Sequence, residues 1–225
     1  MKKRIALACA LSTMMVSAHA EESALTSDAQ KFSYAIGFQM ASQLKAQDVP
    51  LDADAVSQAV KDVLSDGELK LTPQEMQAAF QRFQEKRTAQ LQAIADENLK
   101  MGQAFLEKNK TAEGITVLDN GLQYKVLTKG DGESPTAADE VTVNYRGTLI
   151  NGVEFDSSYK RGEPATFGLG GVIKGWQEII PMMKVGDKWQ VFIPADLAYG
   201  PRAPSPTIGP NSTLIFEIEL LAIKK

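Results

Sequence analysis

Hydrophobic positions recur every third or fourth residue through the first half of this 225-residue chain and every second residue toward its end. That shift in period predicts helices first and strands afterwards. A first helix is expected over 27–47, with Phe32, Ile36, Met40 and Leu44 forming one stripe at fourfold spacing. A second is expected over 52–66, opened by Asp52 as N-cap and closed by Gly67 at the position a C′ glycine takes. The third opens on Thr72-Pro73-Gln74-Glu75, a capping box with proline at the first helical position. No breaker follows until Gly102, and Met76, Phe80, Phe83, Leu91, Ile94, Met101 and Phe105 keep a three-to-four spacing. If continuous to Asn109, this helix is roughly 55 Å long.

The remainder alternates. Val141, Val143 and Tyr145 face one way and Thr142, Asn144 and Arg146 the other, as in a half-buried strand. Asn151-Gly152 follows as a hairpin turn. Further strands are expected at 122–128, around Phe155, at Phe167-Gly168-Leu169, at 189–193 and at 214–223. Only 173–183 reads as helical there, so the fold class is α+β: helices, then an antiparallel sheet around one short helix. Composition agrees, because 21–110 hold three glycines and two prolines while 111–225 hold fourteen and eight.

The extreme N-terminus changes the count of usable chemistry. Lys2, Lys3 and Arg4 precede an apolar run over 5–16, and Ser17-Ala18-His19-Ala20 follows. This is the layout of an export signal over 1–20, too short to span a bilayer. Cleavage there would remove Cys9 and His19, the sole thiol and the sole imidazole, and leave 21 basic against 28 acidic residues, net −7. Serine–histidine or cysteine–histidine nucleophiles are then excluded, zinc sites lose their preferred ligands, and generic nucleic-acid binding is disfavoured. No cofactor and no metal is expected.

Function enters through five motifs in order: Val143-Asn144-Tyr145-Arg146-Gly147, Glu154-Phe155-Asp156-Ser157-Ser158, Val172-Ile173-Lys174-Gly175-Trp176, Ala198-Tyr199-Gly200 and Leu214-Ile215-Phe216-Glu217-Ile218-Glu219-Leu220. Together they resemble the FKBP-type peptidyl-prolyl cis–trans isomerases over 112–225. The helical half and the signal resemble the macrophage infectivity potentiator group within that family. The resemblance implies a pocket with Trp176 as its floor and Tyr145, Phe155, Phe167, Phe216, Val172 and Ile173 as its walls. It also implies that the Ile173 N–H and the Tyr199 hydroxyl bond substrate carbonyls, that Asp156 lies beside the rotating amide with Arg161 orienting it, and that Ile208 closes the site. Taken singly, Phe216, Trp176 and Tyr145 read equally as core, and Asp156 suits a turn cap. Two positions depart from the family pattern: Ala165 where an aromatic is common, and Pro204-Ser205-Pro206 where His-Pro-Gly is common. The glycines at 168, 170 and 171 lack the lysine and helix of a phosphate loop.

The resemblance further implies proline-containing unfolded or partly folded polypeptides as substrates and macrolides such as rapamycin and tacrolimus as inhibitors. The domain reading is a signal over 1–20, a helical dimerisation region over 21–72, a connecting helix over 73–110 and the isomerase domain over 111–225. About 60 helical residues make a meagre core, and a second copy would cover Phe32, Met40, Phe80 and Phe83, so a homodimer is expected. Export points to the periplasm, the outer membrane or the cell surface. A rival reading makes the helical half a chaperone cleft for unfolded clients, with isomerisation secondary.

Overall fold

The computed structural model describes residues 25–46 and 49–224, so the expected signal over 1–20 lies outside the described residues. The chain divides into two compact units, residues 1–58 and 59–225. In the first lies α1 (Asp28–Ala46), and α2 (Ala53–Leu64) runs from the first into the second. The Asp52 carboxylate accepts from the Ala55 N–H over 2.9 Å, the expected N-cap. At the other end it is Asp66, at φ 51°, that takes the left-handed position expected of Gly67. The Gly67 N–H still returns to the Asp62 carbonyl over 2.8 Å. No residue of α1 or α2 is buried; Phe32, Ile36, Phe38 and Met40 are all exposed.

The long helix α3 is one piece, Pro73–Asn109. Its capping box forms in full: Thr72 Oγ1 accepts from the Glu75 N–H, and the Glu75 carboxylate accepts from the Thr72 N–H. The Thr72 N–H and the Thr72 hydroxyl, both donating to the Glu75 carboxylate, hold that carboxyl below its ordinary range. The expected apolar stripe is not what buries this helix. Leu91, Ile94 and Met101 stay exposed, while Ala95 and Gly102 are its only buried residues. The helix docks on the sheet domain through small and polar groups. A Cβ on Gly102 would collide with Thr213 Oγ1, Asn98 Nδ2 donates to the Pro210 carbonyl over 2.8 Å, and Asn109 Nδ2 donates to Gln123 over 2.9 Å. Phe105 alone of the stripe packs aromatically, 5.9 Å from Phe192. The last turns of α3 therefore pack on the sheet domain.

The sheet is antiparallel and seven-stranded: β1 (Ile115–Val117), β2 (Gln123–Thr128), β3 (Glu140–Leu149), β4 (Glu154–Ser157), β5 (Ala165–Gly168), β6 (Lys188–Ile193) and β7 (Leu214–Lys224). Its order is β1-β2-β6-β7-β3-β4, with β5 sharing the flank of β3 that β4 begins. Two short elements escaped the sequence reading. These are β1, only three residues long, and the one-turn helix α4 (Ser158–Arg161). Helix α5 (Lys174–Ile179), continued by a 3₁₀ turn, supplies Trp176, Ile179, Ile180 and Met183 to a core shared with Val141, Val143, Tyr145, Val191, Ile193, Leu214, Phe216, Ile218 and Leu220. Every second residue of β3 and β7 points into that core, which is why alternation alone located both strands.

Candidate active site

Where β3, β4, β5, β7 and α5 converge, their inward aromatics form one cluster. Trp176 lies at its centre, nearly perpendicular to Tyr145 (5.2 Å, 86°), Phe167 (5.7 Å, 86°) and Phe216 (5.2 Å, 79°). Phe155 meets Phe216 edge-on at 5.5 Å. Such edge-to-face pairs suit the ring quadrupoles and fix each ring's orientation. Room for them comes from Gly147 on β3, where a Cβ would lie 2.6 Å from the Phe155 ring and 2.8 Å from Phe216. The rings do not fill the space. They enclose a cavity of about 250 Å³ lined by Tyr145, Phe155, Asp156, Phe167, Gly171, Val172, Ile173, Trp176, Tyr199 and Phe216.

One edge of the cavity is polar. The Tyr145 hydroxyl donates to Asp156 Oδ2 and accepts from Arg161 Nη2 over 2.9 Å, and Arg161 Nη1 also bonds Asp156 Oδ1. The local sequence builds this triangle. Ser157 caps α4, Gly162 ends it at φ 80°, and the single turn carries Arg161 back over Asp156. The fully buried Ser158 hydroxyl accepts from the Tyr145 N–H over 2.9 Å and ties that turn to β3. Burial pushes the Tyr145 hydroxyl above the ordinary phenol range, helped by the bond it donates to Asp156. It stays a donor at neutral pH.

At the rim two donors have no acceptor among the described residues: the Ile173 N–H, just before α5, and the Tyr199 hydroxyl. Trp176 Nε1 is buried and also lacks a partner. Of the eleven residues singled out from sequence, nine line the cavity. Arg161 stands behind Asp156 and Tyr145 instead of lining it. Ile208 is buried in the core and is absent from the lining, because its loop turns it inward beneath the site. Gly171 also lines the cavity, and its glycine run carries no sequence signal for that role. Ser158 was missed too: a hydroxyl that orders backbone leaves no periodic trace. Among the described residues no group of three or more His, Cys, Asp or Glu is placed to hold a metal ion.

Comparison with known proteins matches the same segments. Residues 131–221 match the family described as FKBP-type peptidyl-prolyl cis-trans isomerase, and residues 29–126 match the domain amino-terminal to such isomerases. The chain is 44% identical over 220 residues to the outer membrane protein MIP of Legionella longbeachae, covering 96% of this chain and 94% of that one. It is 43% identical to the peptidyl-prolyl cis-trans isomerase Mip of Coxiella burnetii, covering 89% of each. Among solved structures, FkpA from Escherichia coli superposes with a TM-score of 0.63 at 41% identity, covering 89% of this chain and 99% of that one.

Proposed function

This chain belongs to the FKBP-type peptidyl-prolyl cis–trans isomerases, and from that membership we propose how its cavity turns an X-Pro bond. The reaction breaks no covalent bond. Its barrier of about 18–20 kcal/mol is the amide resonance lost on twisting, and uncatalysed exchange takes on the order of tens of seconds or more. Each factor of ten in rate requires about 1.36 kcal/mol, so four decades need about 5.4. A site achieves this by binding the twisted amide better than the planar one.

The observation that carries the proposal is a cavity lined by six aromatic rings, with two unused donors at its rim. The prolyl ring sits on Trp176 between Tyr145, Phe155, Phe167 and Phe216, with Val172 and Ile173 to one side. The Ile173 N–H and the Tyr199 hydroxyl accept the load of orienting the peptide by donating to its carbonyls. Asp156, held by Tyr145 and Arg161, lies beside the imide. A planar amide is more dipolar than a twisted one, so a dry aromatic wall penalises the ground state more than the transition state. No group need exchange a proton. The test is cis-to-trans relaxation of an X-Pro tetrapeptide with the purified chain. A large rate gain is expected at micromolar protein, and none with Trp176→Ala that still gives a folded circular dichroism spectrum. A silent wild-type chain overturns the reading.

The helical half supports a further part of the proposal: an exported homodimer. Phe32, Ile36, Phe38 and Met40 in the first unit, and Phe80 in the second, are each exposed, and a second copy would cover such apolar groups. No helix among the described residues is long and apolar enough to cross a membrane. The expected signal over 1–20 points to export, to the periplasm or the outer membrane. Rapamycin and tacrolimus would occupy the same aromatic cavity and compete with peptide. Sedimentation of residues 21–225 tests the dimer, and a monomer at micromolar concentration refutes it. The comparisons favour isomerisation over the chaperone reading.

A further inference from the structure

The segment that carries Tyr199 is gripped from below by the long helix. Asn211 closes this segment: its N–H donates to the Gly200 carbonyl over 2.7 Å, bringing the two ends of the 200–211 loop together. Asn211 does so at φ 54°, a left-handed conformation that asparagine tolerates better than most residues. Its side-chain amide reaches α3, donating to the Ala95 carbonyl at 3.5 Å. One turn along, Asn98 Nδ2 donates to the carbonyl of the adjacent, buried Pro210 over 2.8 Å. Tyr199 immediately precedes Gly200, and its ring lines the cavity. A continuous set of hydrogen bonds therefore runs from α3 through Pro210, Asn211 and Gly200 to the rim of the site.

We propose that Asn98 and Asn211 are positioning residues for the Tyr199 rim, so that α3 sets where the Tyr199 hydroxyl meets substrate. The inference rests on the rim role given to Tyr199 above. Apart from Ile208, buried in the core, and the Gly200 N–H bonded to the Ala195 carbonyl over 2.8 Å, the loop has few other anchors. Residues 201–204 and 206–207 are exposed, and the loop's other bonds are the Ser205–Ile208 turn, Arg202 N–H to the Tyr199 carbonyl, and the Ser212–Gly209 contact. Docking of α3 has independent support at Gly102 against Thr213 and at Phe105 against Phe192. Loss of the Asn98 bond thus loosens the Pro210 end of the loop without releasing the helix.

The experiment uses the full chain in four forms: wild type, Asn98→Asp, Tyr199→Phe and the double variant. Asn98→Asp keeps the shape but turns a carboxylate toward the Pro210 carbonyl; Asn98→Ser replaces it if the first variant does not fold. Asn98→Asp is expected to lower kcat/KM about fivefold, the worth of one hydrogen bond of about 1 kcal/mol. It should cost nothing further in the Tyr199→Phe background. Losses that multiply, or no loss at all, overturn the proposal. A second readout does not depend on the hydroxyl's role. With 3-fluorotyrosine incorporated at the five tyrosines, the ¹⁹F line absent from Tyr199→Phe is that of Tyr199. It should move in Asn98→Asp, and an unmoved line overturns the tether. If Tyr199→Phe is silent while that line moves and Asn98→Asp loses rate, the hydroxyl role fails and the tether stands.

Discussion

Tyr145 and Asp156 lie 11 residues apart, on neighbouring strands, with the phenol donating to the carboxylate over 2.5 Å. The bond joins the aromatic wall to its polar edge, and Arg161 locks it by bonding both partners. Tyr145→Phe keeps the ring and removes that junction. A fall of about tenfold in kcat/KM is expected, with a loss of about 1.5–3 kcal/mol of stability, the scale of one hydrogen bond to a charged group. Peptide relaxation and urea unfolding measure the two effects separately. An unchanged rate would leave the rings alone responsible for catalysis.

The same junction makes a pH prediction. Beyond residue 20 the chain has neither histidine nor cysteine, and carboxylates ordinarily titrate near pH 4. Tyr145 is held above the ordinary phenol value by burial and by Asp156. Its protonated form, the donor, therefore persists past about pH 10 and is lost only as pH climbs further. The kcat/KM profile should be flat from about pH 6 to pH 9. A bell centred near neutrality would contradict a mechanism without proton transfer.

Alkaline stability should follow Tyr159. Partial burial, then its hydrogen bond to Glu219 and the charges of Glu219 and Glu217, push it up to about 12. The folded state thus holds this proton more tightly than the unfolded chain, whose tyrosines titrate near 10. Its contribution is complete below about pH 10 and is lost as pH rises toward 12. Tyr159→Phe, which has no proton to lose, should show a shallower fall in urea midpoint across that window. Equal slopes in the two proteins would count against the assignment.

Gly147→Ala should be costly at an apparently innocuous strand position. The added methyl would overlap the rings of Phe155 and Phe216. Overpacking of this kind costs about 1–3 kcal/mol. Because both rings wall the cavity, kcat/KM should fall together with the urea midpoint. A variant that keeps both would show that the rings shift freely.

How much of this was visible in the residues depends on the kind of signal each element leaves. The capping box at Thr72, the alternation of β3 and β7 and the Asn151-Gly152 turn are local, and each formed as read. Eight of the cavity's lining residues were legible because they fall in five recognisable motifs, and Phe167 was placed beside them by the resemblance. The docking face of α3 was not. Apolar spacing pointed to Leu91, Ile94 and Met101, yet Ala95, Asn98 and Gly102 face the sheet domain. Close approach selects small side chains and specific hydrogen bonds, neither of which raises hydrophobic periodicity.

Local chemistry in the chain, then, determined where helices and strands begin, which residues alternate inward, and that histidine and cysteine occur only within residues 1–20. What tertiary structure alone decided is that rings from Tyr145 to Phe216 leave a space between them instead of filling it, that Arg161 stands behind Asp156, and that Ile208 turns into the core. The reason is geometric. Periodicity reports which side of an element is apolar, whereas a cavity depends on where several such sides meet in space and at what angle.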